Sequence, residues 1–182
     1  FSNKFKSGFS LGITVKLFYY HLNTDVSSTT VGIDLGLLVP VGEALTVGAS
    51  ARDINSKYQW ETSEIYGQKG NSTKEEFPQL YTVGVAYKLP DSLGVVAVDV
   101  ETSNKKTLTA RFGVEIPLIP EITVRAGMDR IDLKEKGYGV RPTFGFTARK
   151  DLETWTPAIN YAFVVEPFAP SPMHVVSLSV IF

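Results

Sequence analysis

Leu108-Thr109-Ala110-Arg111-Phe112-Gly113-Val114-Glu115-Ile116 and, just beyond Ile119-Pro120, Ile122-Thr123-Val124-Arg125-Ala126-Gly127-Met128-Asp129 decide how this chain folds. In each stretch every second residue is apolar, and the residues between are Thr, Gly, Arg, Glu or Asp. Successive side chains of a strand point to opposite faces, so this spacing predicts two strands with one apolar and one polar face. Only a few residues separate them, which predicts an antiparallel hairpin.

The pattern returns about ten times along the chain. Leu11, Ile13, Val15 and Leu17 alternate with Gly12, Thr14 and Lys16; Val31, Ile33, Leu35 and Leu37 alternate with Gly32, Asp34 and Gly36. Further stretches centre on residues 45–52, 81–89, 96–101, 143–149, 155–163 and 176–182. No apolar run approaches the roughly 18 residues of a membrane-spanning helix, so a membrane location requires strands. Fifteen glycines, eleven phenylalanines and eight tyrosines fit an all-β chain.

Alternation is shared with soluble β-sandwiches, which also have one apolar and one polar face. Three features point instead to an up-and-down transmembrane barrel. First, short connections near Gly42-Glu43, Pro90-Asp91-Ser92, Ile119-Pro120 and Asp151-Leu152-Glu153 alternate with generally longer ones at 23–29, 53–79, 132–139 and 166–173, the 102–106 connection being the exception. Membrane barrels have short periplasmic turns and longer external loops. This parity predicts a periplasmic C-terminus.

Second, the polar face carries both charge signs: Lys16, Arg52, Lys88, Arg111, Arg125, Arg141 and Arg149 with Asp34, Asp99, Glu101, Glu115 and Asp129. Such residues can pair across strands inside a polar lumen, although a sandwich's solvated face accepts the same set. Glycine recurs on this face at Gly12, Gly32, Gly48, Gly84, Gly113, Gly127 and Gly145, leaving room for a sharply bent wall. Third, the chain ends Val176-x-Leu178-x-Val180-x-Phe182, which resembles the assembly signal of outer-membrane barrels.

Little here suggests covalent chemistry. The histidines, His21 and His174, have no Ser or Asp partner at a recognisable spacing, and read as interfacial residues. Asp99, Glu101 and Glu115 read as lumen ion-pair groups rather than an acid/base pair. Gly67-Gln68-Lys69-Gly70 lacks the strand-to-helix context of a phosphate loop. The chain is expected to be no enzyme and to need no cofactor or metal. A net charge of -1 argues against nucleic acid as partner, and the absence of cysteine removes disulfides and thiolate metal sites.

Residues 53–79 form the longest connection and hold Tyr58, Trp60, Tyr66 and Phe77. They read either as a binding loop offering a partner surface or as strand extensions with an interfacial girdle. Tyr19, Tyr20, Tyr81, Tyr87, Trp155 and Tyr161 fit the girdle.

Over nearly its whole length the chain resembles the PorV/PorQ group of outer-membrane proteins, relatives of the FadL-type transporters. The resemblance rests on Gly12-Ile13-Thr14-Val15-Lys16, Ile33-Asp34-Leu35-Gly36-Leu37-Leu38, Val47-Gly48-Ala49-Ser50-Ala51-Arg52-Asp53-Ile54 and Phe77-Pro78 before Leu80-Tyr81-Thr82-Val83-Gly84. Ala97-Val98-Asp99-Val100-Glu101, Val124-Arg125-Ala126-Gly127, Asn160-Tyr161-Ala162-Phe163 and His174-x-x-Ser177-Leu178 extend it. It implies a barrel of about fourteen strands, within the range of such barrels. Residues 1–182 are thus expected to be one β-barrel domain or, since the chain starts at Phe1, the C-terminal part of one. It also implies lipid of the bacterial outer membrane as surroundings. Type IX secretion proteins or secreted cargo are the implied partners, with FadL-like transport of hydrophobic small molecules, or a structural barrel, as alternatives.

Overall fold

The computed structural model describes residues 1–6, 8–23, 26–61, 72–134 and 139–181. They form β1 (Ser2–Lys4), β2 (Ser10–Asn23), β3 (Val26–Val41), β4 (Leu45–Ile54), β5 (Lys57–Glu61), β6 (Ser72–Glu76), β7 (Leu80–Lys88), β8 (Val95–Ser103), β9 (Leu108–Ile119), β10 (Ile122–Asp132), β11 (Pro142–Arg149), β12 (Thr156–Val164) and β13 (Met173–Ile181). Among the described residues no helix is long and apolar enough to cross a membrane.

Eleven strands make one sheet in the order β1-β2-β3-β4-β7-β8-β9-β10-β11-β12-β13, while β5 and β6 pair separately. The all-β, antiparallel reading therefore holds. The described pairings run from β1 to β13 without forming a closed barrel.

Three local features differ from expectation. The connection expected at 23–29 is largely strand, because β2 runs to Asn23 and β3 resumes at Val26. Pairing continues there through Tyr19, Tyr20 and the threonines, with Tyr19↔Thr29 and Phe18↔Thr30. The 53–79 segment is not wholly loop: Lys57–Glu61 and Ser72–Glu76 pair in register as a ribbon. Ser2–Lys4 adds an eleventh strand against Ser10–Gly12.

The short connections have local causes. Gly42 takes φ 68° in the β3–β4 turn, a conformation without penalty for glycine. A single 3-10 turn, Pro90–Ser92, joins β7 to β8, closed by the Leu89 N–H donating to the Gly94 carbonyl at 2.8 Å. Between β9 and β10 the register jumps from Ile122↔Ile119 to Thr123↔Pro117. This bulge falls beside Pro117, which lacks an N–H for the ladder.

The chain divides into two compact units: Phe1–Val39, Gly48–Val83 and Thr102–Lys106; and Pro40–Val47, Gly84–Glu101 and Thr107–Phe182. In the first, Leu11, Ile13, Val15, Leu17 and Tyr19 of β2 are exposed, whereas Gly12, Lys16 and Phe18 on the opposite face are half-buried. In the second, Phe112, Met128, Phe144, Phe146 and Ile159 are exposed, whereas Asp99, Gly113, Glu115, Gly127, Gly145 and Asn160 are partly covered.

This is the reverse of a soluble sandwich, whose apolar rows are the covered ones. Among the described residues the buried apolar side chains are Ala158 and Val164 alone, against buried Ser28, Ser56, Glu101, Ser103 and Thr109. Leu178 of β13 is 77 % exposed. In water, a full exposed row of this kind forfeits about 1.5–3 kcal/mol of burial per large side chain.

Candidate functional site

The polar face is where the expected charged residues meet. In the first unit, β2 and β3 pair with Thr14↔Asp34 and Lys16↔Gly32, so Lys16 lies diagonal to Asp34. Lys16 Nζ is 2.8 Å from Asp34 Oδ2 and 2.8 Å from Asp53 Oδ1. The Asp53 N–H also donates to Asp34 Oδ1 at 2.9 Å.

Asp53 was not legible as a member of this face. By strict alternation it follows Arg52 and points the other way. Its φ of 57° breaks the alternation at the end of β4 and turns the carboxylate toward Lys16. Asp is one of the residues that tolerates this left-handed conformation. Arg52 is half-buried on the same strand.

Above Lys16 the polar face turns aromatic. Phe18, two residues along β2, meets Phe77 edge-on at 5.2 Å and Tyr58 at 6.3 Å; Tyr58 and Phe77 meet at 5.0 Å, and Tyr20 lies 5.8 Å from Tyr58. Of the expected loop aromatics, Tyr58 and Phe77 thus belong to one cluster. The Trp60 side chain and Tyr66 lie outside the described residues.

In the second unit two transverse rows cross the strands. One begins at Arg111 of β9, which donates to Asp99 Oδ1 at 3.0 Å and to Glu101 Oε1 at 2.8 Å, both on β8. Arg111 Nε is also 3.7 Å from Asp129 of β10, and Asp129 Oδ2 is 3.0 Å from Arg141 Nη1. Arg141 in turn donates to Glu166. The other row starts at Glu115 of β9, which accepts from Arg125 Nε at 2.6 Å. Arg125 Nη1 donates to Thr147 of β11, Thr147 donates to Asn160 Oδ1 of β12 at 2.6 Å, and Asn160 Nδ2 donates to Ser179 of β13 at 3.4 Å.

The first row links β8, β9 and β10 and reaches Arg141, just before β11, and Glu166, just past β12; the second links β9 through β13. Thr147, Asn160, Ser179 and Glu166 complete them without carrying the charge-pair signal of Arg and Asp neighbours. For Thr147, Asn160 and Ser179 the only sequence signal is position on the polar side of an alternating strand, and Glu166 lies just past the end of β12. Two expected members stand apart. Arg149 Nε donates to the Pro120 carbonyl at 2.9 Å, and Lys88 has no ion-pair partner among the described residues.

Glycine keeps the wall thin where these rows run. A Cβ at Gly145 would stand 2.7 Å from the Tyr161 carbonyl oxygen, and one at Gly84 would stand 2.8 Å from Asp99 Cβ. A concavity of about 600 Å³ opens over this face, bordered by Asp99, Arg111, Glu115, Arg125, Asp129 and Asn160.

On the opposite, apolar face His174 Nδ1 and Tyr161 Oη share a 2.7 Å hydrogen bond, with the Phe163 ring edge-on to the imidazole at 5.3 Å. The pair shares its face with exposed Val176, Leu178 and Val180, the three described residues of the expected assembly signal. Phe182, the His21 side chain and Gly67–Gly70 lie outside the described residues. Among the described residues no group of three or more His, Cys, Asp or Glu is placed to hold a metal ion.

No family model, curated protein or solved structure matches this chain.

Proposed function

We propose that the sheet is the wall of an up-and-down transmembrane β-barrel in a bacterial outer membrane, of the PorV/PorQ type, working with type IX secretion proteins or their cargo. The observation that carries the membrane reading is the inverted burial. Large apolar residues of each unit are exposed, as lipid contact requires, while Lys16, Asp34, Asp99, Glu101, Arg111 and Arg141 on the charged face are half-buried or buried and joined by ion pairs and hydrogen bonds, Arg125 remaining exposed. Strands in hydrocarbon must pair every backbone group internally, which makes closure of the sheet part of the proposal. The connections at Gly42-Glu43, Pro90–Ser92, Pro120 and Asp151-Leu152-Glu153 fall at one end of the meander, the periplasmic end in this reading.

The secretion role rests on the resemblance in Gly12–Lys16, Ile33–Leu38 and Val47–Ile54 and the segments that follow them. Neither row contains a nucleophile with an activating base, so the reading assigns no reaction and no cofactor. Affinity capture of the intact protein from outer membranes tests it. Co-purification of translocon proteins or secreted cargo is expected, and recovery of neither overturns the secretion role.

One observation favours a second reading, transport of hydrophobic small molecules. The first unit holds a largely apolar concavity of about 690 Å³ on its exposed apolar face, bordered by Phe1, Phe5, Leu11, Ile13, Leu35 and Tyr81, where a hydrophobic molecule would approach from the lipid side. Its apolar lining suits a ligand of the same character. Binding of a long-chain fatty acid by the intact protein, with no secretion partner recovered, would select this reading.

A further inference from the structure

The polar face of β2 reads Ser10, Gly12, Thr14, Lys16 and then Phe18. A water-filled route has no need of that change. Phe18, Tyr58 and Phe77 stand in three edge-to-face contacts with interplanar angles of 79–82°. Edge-to-face is a geometry that the ring quadrupoles favour, so the three rings pack as a small apolar core.

The chain reaches this position by folding back. Asp53 and Asn55 take φ of 57° and 60°, which turns the segment over the polar face at the end of β4. Ser56, 3 % exposed, then sits against Gly32, where any Cβ would collide with the Ser56 hydroxyl. The Phe77 N–H donates to the Ser56 carbonyl at 3.0 Å and ties the return of the β5–β6 ribbon to its start. The base of the ribbon therefore lies across β2 and β3 directly beyond the Lys16–Asp34–Asp53 cluster.

We propose that Phe18, Tyr58 and Phe77 form an apolar gate that bars water and hydrated ions at the external end of the polar face. This rests on the barrel reading, in which that face lines the lumen. An apolar constriction excludes water, and an ion must shed hydration to pass it. The neighbouring Lys16, Asp34 and Asp53 are already paired, so they offer a passing ion little in exchange.

The test uses the intact protein in planar bilayers in KCl. Insertion is scored separately, by vesicle flotation and by heat-modifiable gel mobility. The wild type is expected to insert and stay closed. Tyr58→Ala and Phe77→Ala lie outside the eleven-stranded sheet; they are expected to insert and to conduct steadily, whereas Phe77→Leu, which keeps apolar volume, stays closed. An inserted wild type that conducts steadily overturns the gate. So do alanine variants that insert and stay closed. Failure of every protein to insert overturns the barrel reading, and the gate with it.

Discussion

Arg111 and Glu101, on neighbouring strands, are joined by a 2.8 Å hydrogen bond from Nη2 to Oε1, and Glu101 is only 8 % exposed. That donor is one of the interactions that hold a covered carboxylate. Removing one partner of a buried pair costs about 3–5 kcal/mol, and an exposed pair contributes about 0–1 kcal/mol. Arg111 is partly exposed, so the value lies between. Arg111→Ala is expected to destabilise the protein by about 1–3 kcal/mol. Urea unfolding in lipid or detergent checks it. Pairing it with Glu101→Ala in a double-mutant cycle should return a favourable coupling; additive losses would show that the two residues act independently.

The second row predicts a different kind of loss. Thr147 donates to Asn160 while accepting from Arg125, so it relays between β10 and β12. Thr147→Val keeps the shape and deletes both roles. A loss of about 1–3 kcal/mol is expected, because both partners are left short of a hydrogen bond. Thr147→Ser should retain most of the stability. Equal stability of the Val variant and wild type would mean that water replaces the hydroxyl.

The apolar face gives a prediction whose size separates lipid from water. Val15, on β2, is 67 % exposed. Against lipid, Val15→Arg should cost about 2–4 kcal/mol near the bilayer midplane. At a water-facing position the same change is worth within about 0.5 kcal/mol. Reversible folding into lipid vesicles measures the difference directly, and an unchanged folding free energy argues against lipid contact at this site.

Glycine positions offer a matched pair. A Cβ on Gly145 would press on the Tyr161 carbonyl oxygen, while one on Gly36 meets nothing within 4 Å. Gly145→Ala is therefore expected to destabilise by about 1–3 kcal/mol through overpacking of adjacent strands. Gly36→Ala should be neutral or gain about 0.4–1 kcal/mol from the stiffer unfolded chain. Unfolding midpoints of the two variants, compared side by side, give the answer.

Much of the fold was legible because alternation is a local property. Each stretch with a clear period of two became a strand of the sheet. What escaped was strand without alternation. Ser2–Lys4 is too short to show a period, and Ser72-Thr73-Lys74-Glu75-Glu76 has no apolar position at all, so its pairing with Lys57–Glu61 left no signal. The connection expected at 23–29 was misplaced because serine and threonine there show no apolar alternation, while β2 and β3 pair on through them.

The charged face was legible as a set but not as pairs. Which arginine meets which carboxylate depends on register, and register depends on irregularities such as the shift between Met128 and Ile131 in the β9–β10 pairing. That shift lies beside Asp129, which joins Arg111 to Arg141.

By itself, then, the sequence determined that the chain alternates and that one face is apolar and the other charged. Those follow from side-chain direction along an extended backbone, which needs no partner strand. Only the tertiary structure decided that the apolar face is the exposed one and that Arg111, Asp129 and Arg141 share one row. It alone put Asp53 beside Lys16 and laid Tyr58 and Phe77 over Phe18. Each of these turns on where a strand's neighbour lies or on a single left-handed residue such as Asp53, and a period of two contains neither.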